Sequence, residues 1–249
     1  MSTLYVVRHA QASMFAANYD ALSEHGREQA RRLGQVWAER LLSAEQAGFD
    51  AVFSGPAQRH VDTTALVGER LLAAGRSFPE PQIVPGFDEH DGQAMVLAVL
   101  ARIARGDTEL LGQQAELLGF ASKAMDPAVD RRERSRVWQL LYEAIMRRWL
   151  AEQLELDGIE TWPQFHARVR EAFAEVRERG RGEVLVFTSV GPTAVVLLEV
   201  LGLPPLRAFE QAWRLYNTAI TRVLHSGPRM TLDGFNDASH LPLRDWTHR

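Results

Sequence analysis

Short unbroken apolar runs alternate along this chain with longer stretches in which apolar residues return every three or four positions. Leu4-Tyr5-Val6-Val7 is the first run. A run with no polar alternation predicts a strand buried on both faces. Phe49 to Ser54, Val184 to Thr188 and Ala219 to Leu224 read the same way. Between them lie helical patterns. Ala30, Leu33, Val36, Trp37 and Leu41 share one helix face, with Ser23 placed as its N-cap. Val61, Ala65, Val67 and Leu71 repeat the pattern, and Val195 to Leu201 follows the third strand. Strand–helix alternation of this kind predicts an α/β fold, a three-layer α/β/α sandwich around a mostly parallel central sheet.

The alternation stops once. From Ala94 to Asp157 the pattern is helix only, with Val137, Leu141, Ile145 and Trp149 at fourfold spacing. Because strands flank this segment, residues 94–157 are expected to be a helical insertion over the sheet, within one domain covering residues 1–249. Asp130-Arg131-Arg132-Glu133-Arg134-Ser135-Arg136 at its centre reads as a solvated, salt-bridged helix face. The sharper alternative is an arginine lid over an acidic substrate. Trp138, Tyr142, Trp149 and Trp162 are expected to pack a core, with stacking on a ligand as the alternative. The apolar insertion also offers a surface for a homodimer. Pro79 to Pro85 reads as a stiff connector, and Gly180-Arg181-Gly182 as a tight turn before the third strand.

Composition narrows the chemistry. The chain has 249 residues, 46% hydrophobic and 24% charged, enough for one core without staples. It has no cysteine, which excludes disulfides, thiolate zinc sites and cysteine nucleophiles. A net charge of −4 offers no general field for nucleic acid. The longest apolar runs, about four to seven residues, fall far short of the roughly twenty that cross a bilayer. Met1-Ser2-Thr3-Leu4 lacks the basic and apolar stretches of a signal peptide. The expectation is a cytoplasmic protein with a small-molecule partner and no membrane or nucleic-acid partner.

In open α/β sheets, ligands bind beyond the carboxyl ends of the strands. That rule selects Arg8-His9, then Ser54-Gly55-Pro56 with Arg59 opening the next helix, then Thr188-Ser189-Val190-Gly191. A fourth segment, Gly86 to Gly92, carries Asp88, Glu89, His90 and Asp91. Singly, each is ordinary: a histidine after a strand is usually structural, and Arg59 alone reads as a surface arginine. Together they supply two guanidinium groups, an imidazole and a carboxyl group at one sheet edge. That set suits a phosphate monoester. Arginine matches phosphate oxygens with paired donors, helix N-termini add N–H groups, and histidine can accept a phosphoryl group covalently.

The order of these segments resembles the histidine phosphatase superfamily, also called phosphoglycerate-mutase-like. Its opening Arg-His-Gly is similar to Arg8-His9-Ala10. Gln11-Ala12-Ser13, Asn18-Tyr19-Asp20, Leu22-Ser23, Gly26 and Gln29-Ala30 continue the likeness. So do Ser54-Gly55 through Arg59 to Thr63-Thr64-Ala65, and Glu89 before the variable insertion. Tyr216 to Thr221, and Phe235-Asn236-Asp237 through His240-Leu241, complete it. The resemblance implies that His9 is the phosphorylated nucleophile and that Arg8 and Arg59 hold the phosphoryl oxygens. It implies that Glu89 serves the leaving alkoxide and then water as acid and base. Ser13 and Asn18 would border the pocket, though a turn and a helix cap are the plain alternatives. It implies no cofactor and no metal, the arginines supplying the positive charge.

Two departures stand out. Ala10 replaces glycine, which matters only if its φ must be positive. Ser189 falls where the family places a second histidine, in a Ser-His-Gly-Gly pattern. A serine hydroxyl carries no charge and is shorter, and losing one good oxyanion donor costs on the order of 3 kcal/mol, about a hundredfold in rate. His60 and His90 are candidate substitutes, each with a structural alternative. The readings that follow are a phosphatase using Ser189 or another donor, a non-catalytic phosphate-ligand binder, and a mutase-type phosphotransferase. A metal-dependent hydrolase built on Asp88-Glu89-His90-Asp91 is disfavoured, because adjacent loop residues cannot all face one ion.

Overall fold

The computed structural model describes residues 1–13, 20–106, 115–125 and 130–248. A six-stranded sheet runs in the order β3-β2-β4-β1-β5-β6, with β1 Ser2–Arg8, β2 Ala51–Ser54, β3 Gln82–Ile83, β4 Glu183–Thr188, β5 Ile220–Ser226 and β6 Arg229–Asp237. The β2·β3, β2·β4 and β1·β4 pairings are parallel, while β1·β5 and β5·β6 are antiparallel. The sheet is thus mostly parallel, with an antiparallel hairpin at one edge.

β1 is central, and its sequence explains why. Leu4 and Val6 turn to one face and Val7 to the other, all at most 1% exposed. A fully buried Leu or Val contributes roughly 1.5–3 kcal/mol by transfer from water. A strand that is apolar at every position gains most where helices cover both faces. α1 (Glu24–Ser43) and α2 (Gln58–Ala73) cover one face. Trp37 and Leu41 of α1 and Leu66, Val67 and Leu71 of α2 pack on Val7, Leu185 and Phe187. α1 begins as Ser23 predicts: its Oγ accepts from Gly26 N at 2.9 Å. α7 (Val190–Leu201) and the C-terminal half of α6 (Trp162–Arg179) belong to the other layer. There Ala172 lies against Gly86, and the Arg179 guanidinium sits 5.4 Å from the Phe53 ring centroid. α8 (Pro205–Ala212) leads into β5.

Two strands escape the pattern reading. β3 occupies two residues within the Pro79 to Pro85 connector, too short to leave a period. β6 alternates exposed Arg229, Thr231 and Asp233 with half-buried Met230 and Leu232, so its apolar content is thin, as an edge strand allows. Gly227, between Ser226 and Pro228, takes φ +58°, the left-handed value of the first central position in a II′ hairpin. The second strand starts at Ala51, not Phe49, because Phe49 turns into the aromatic cluster with Trp37 and Tyr5.

The chain divides into two compact units, Met1–Glu89 with Ala167–Arg249, and His90–His166. The second contains α3 (Gly92–Ala104), α4 (Ala115–Met125), α5 (Arg131–Leu150) and the start of α6. Trp149 and Trp162 are buried and Phe165 fully so, with His90 stacked on Trp149 at 5.4 Å and Tyr142 within bonding distance of His90 Nε2 at 2.9 Å. These aromatics pack the unit's interior, whereas Trp138 is 37% exposed. Asp130 caps α5, accepting from Arg132 N at 2.7 Å, and Arg132, Glu133 and Arg136 lie exposed.

Candidate active site

Register brings the strand ends together. Arg8 pairs with Thr188, and Ser54 with Phe187. Gly55 N donates to Phe187 O at 2.9 Å, and His9 N to Thr188 O at 2.8 Å. The residues that follow β1, β2 and β4 therefore leave the sheet at one level.

His9 is buried, and its Nδ1 lies 2.7 Å from Ala10 O. A carbonyl can only accept, so Nδ1 carries the proton and Nε2 holds the lone pair. Burial first, then the charges of Arg8 and Arg59 and the neighbouring His60, push its pKa well below the usual value. The ring is neutral near pH 7. Ala10 is not among the residues with positive φ, so its methyl group costs no backbone strain, and it is packed in the core. Ala10 N donates to Thr63 Oγ1 at 3.0 Å, tying this loop to α2.

The two arginines differ. Arg59, in the first turn of α2, makes a short ion pair with Asp20, and its Nη2 donates to Ser189 Oγ at 3.4 Å. Asp20 also caps α2, accepting from Gln58 N at 2.6 Å. Arg8 turns its Nη1 to Leu215 O and its Nη2 to His248 O at 2.7 Å. Its charge bears on His9 while these donors engage main-chain carbonyls.

Ser189 begins α7 and Glu89 reaches the same helix start, where Gly191 N donates to both carboxylate oxygens at 3.1 Å. His60 is completely buried beside them. Its Nε2 lies 2.6 Å from Ser189 Oγ and its ring centroid 5.6 Å from that of His9. Burial and the Arg59 charge push its pKa down to about 3, so it too is neutral. The bare α-carbon of Gly55 packs against His60, where a Cβ would collide with its Nδ1 and with Phe87 O.

A second layer holds the His9 backbone. Asn217 Nδ2 donates to His9 O at 3.1 Å and Thr218 N to Arg8 O at 3.1 Å. Thr218 has φ +60°, a costly value for a β-branched residue. Its hydroxyl donates to Asn217 O at 2.6 Å and lies 2.8 Å from His240 Nε2. Thr247 closes the frame, its Oγ1 donating to Asn217 Oδ1 at 2.8 Å.

The structure thus gathers His9, Arg59, Ser189 and Glu89, with Arg8 beside His9. Ser13 sits where its N donates to Ala21 O at 2.8 Å, next to the Ala12–Leu22 bridge. Asn18 lies outside the described residues. Asp20 and Asn217 are the positions that sequence reasoning gave no role, whereas His60, a candidate substitute for the second histidine, sits against Ser189. The adjacency of His60 to Arg59 in one helical turn was the available signal. The acidic loop disperses: Asp88 Oδ1 accepts from Glu89 N, Asp91 Oδ1 from Ala94 N, and Glu89 faces Gly191. Among the described residues no group of three or more histidine, aspartate or glutamate side chains is arranged to hold a metal ion. Nor is any described helix long and apolar enough to cross a membrane.

Besides His225, three deeply buried imidazoles lie below their unfolded pKa, His9, His60 and His240, the last pushed down to about 4 chiefly by burial. Below pH about 6.5 the unfolded chain takes up protons that the folded protein refuses, so stability falls with pH from there toward about 4. Each imidazole contributes about 1.4 kcal/mol per pH unit in that window. Urea unfolding should show a lower midpoint at pH 5 than at pH 7, and a flat midpoint would contradict neutral burial.

The architecture places this chain in the phosphoglycerate-mutase-like class of α/β folds, as its structural neighbours do. A phosphoglycerate mutase from Bacillus anthracis superposes with a TM-score of 0.57 at 19% identity, over 96% of this chain and 94% of its own. A phosphoserine phosphatase from Entamoeba histolytica, in complex with 3-phosphoglyceric acid, gives 0.59 at 15% identity, over 97% and 100%. A mycobacterial glucosyl-3-phosphoglycerate phosphatase with inorganic phosphate gives 0.55 at 18%, over 97% and 100%. The family model of the histidine phosphatase superfamily (branch 1) matches residues 4–107 and 130–238, and the chain belongs to that family. No curated protein sequence matches it. Family membership supports a phosphatase-type function.

Proposed function

We propose that this protein hydrolyses a small phosphate monoester through a phosphohistidine on His9. One observation carries the reading: the Ala10 carbonyl pins the His9 tautomer, and burial beside two arginines keeps the ring neutral, so Nε2 is a nucleophile at neutral pH. His9 Nε2 attacks phosphorus, the P–O ester bond breaks, and Glu89 gives its proton to the leaving alkoxide. Water then attacks phosphorus as the P–N bond breaks, Glu89 takes the proton of the water, and phosphate leaves with His9 neutral again.

Arg59 and Ser189 receive the phosphoryl oxygens, and Arg8 adds its charge at the His9 side. Phosphoryl transfer depends mainly on such positioning and charge. The arginines meet that demand without a metal or cofactor. Ser13 borders the substrate. Water is the acceptor in preference to a second ester, because a mutase must shield its phosphohistidine from water. The cysteine-free composition fits a cytoplasmic setting.

Acid-labile, base-stable phosphate should accumulate on His9 when the protein is mixed with p-nitrophenyl phosphate and quenched in base. Peptide mapping that finds the label elsewhere, or none despite turnover, overturns the mechanism. Phosphate binding without label or turnover makes the protein a binder.

A further inference from the structure

The pair of His60 and Ser189 is not explained by packing alone. Serine is a favoured N-cap, yet at the start of α7 its side chain makes no capping bond. Its Oγ is drawn instead toward His60 Nε2 at 2.6 Å and Arg59 Nη2 at 3.4 Å. His60 brings a second oddity. Its Nδ1 is buried and has no hydrogen-bond partner among the described residues. A buried N–H without an acceptor is costlier than a lone pair without a donor, so the proton belongs on Nε2. The Arg59 guanidinium also opposes a second proton on the ring.

These facts fix the direction of the serine hydroxyl. A hydroxyl oxygen has two lone pairs and one hydrogen. His60 Nε2–H and Arg59 Nη2–H use the lone pairs, so the Ser189 hydrogen must point to a third partner. His9 is the neighbouring imidazole, its ring 5.6 Å from that of His60.

We infer that His60 is a positioning residue: it donates to Ser189 Oγ and thereby turns the serine proton toward a phosphoryl oxygen at His9. The inference rests on the phosphatase reading and deepens it. The uncharged serine becomes a polarised donor, because its oxygen accepts from an imidazole and a guanidinium at once. The imidazole that this chain lacks at position 189 is thereby supplied from the first turn of α2 and acts through the hydroxyl. Gly55 belongs to the device, since only a residue without a side chain leaves room for the ring.

A double-mutant cycle tests the pair with p-nitrophenyl phosphate as substrate and orthovanadate as inhibitor. His60→Ala and Ser189→Ala should each lower kcat/KM about 100-fold. The double variant should be about as slow as either single, because the two act as one donor. Vanadate affinity should fall alongside. His60→Gln, whose amide can still donate, should recover much of the loss. Unchanged singles, independent losses that multiply, or a His60→Gln variant no better than His60→Ala would each overturn the inference while leaving a labelled His9 intact.

A readout free of turnover separates this from failure of the phosphatase reading. In nitrogen-15 spectra of the parent protein, His60 should be the Nε2–H tautomer, and its signals should shift when inorganic phosphate is added. An Nδ1–H tautomer, or no response to phosphate, sinks the pair whatever the activity.

Discussion

His9→Ala loses phosphate-ester turnover by at least about 10⁴-fold, since removing a covalent nucleophile disables the whole chemical sequence. His60 cannot replace it, because its Nε2 is engaged with Ser189 and its Nδ1 faces Gly55. The fold should survive. β1 is held by its ladders to β4 and β5, and the loss of one Nδ1 bond to Ala10 leaves those ladders whole. The variant should also still bind inorganic phosphate, because both arginines remain. Steady-state kinetics with p-nitrophenyl phosphate, circular dichroism and phosphate titration check the three statements. A folded variant retaining a tenth of the parent activity would remove His9 from the nucleophile's role.

Arg59→Ala comes next, with an expected loss of about 10³-fold in kcat/KM, at the lower end for an arginine that stabilises phosphoryl transfer. Two effects combine. The clamp disappears, and the Asp20 carboxylate that Arg59 neutralises is left to repel a phosphate dianion. Arg59→Lys should recover only part, because an ammonium cannot hold Asp20 and an oxyanion in one planar fork. The imidazoles report the change independently. The Arg59 charge helps depress both His9 and His60, so its removal should raise both pKa values toward the ordinary histidine range. Unchanged vanadate affinity would take Arg59 out of the site.

Local signals carried the framework of this molecule. Leu4 to Val7, Val184 to Thr188 and the Ser23 cap each depend on neighbours in sequence, and each appears where the pattern puts it. β3 and β6 did not, because two residues show no period and an edge strand needs little apolar surface. The helical character of the segment after Asp91 was equally legible, but its division from the sheet at His90 and His166 depends on which contacts close, and spacing does not record that.

The site follows the same division. That Arg8-His9, Arg59 and Ser189 share one edge follows from strand direction alone. That His60 touches Ser189 requires β2 beside β4 and Ser54 opposite Phe187, a register no local pattern encodes. The turning of Arg8 to Leu215 and His248 was hidden for a similar reason: its partners lie more than 200 positions away. Ala10 is the opposite case, a departure from the family's glycine that became harmless once its φ was known.

The central place of β1 between β4 and β5 has a cost during synthesis. β1 leaves the ribosome long before its partners, which begin at Glu183 and Ile220. Such distant pairing slows folding, and an unsatisfied apolar strand is a hazard for aggregation. Nascent chains halted before β5 would therefore carry His9 beside an unpaired strand edge, sticky and inert, so activity should emerge abruptly once β5 and β6 are made.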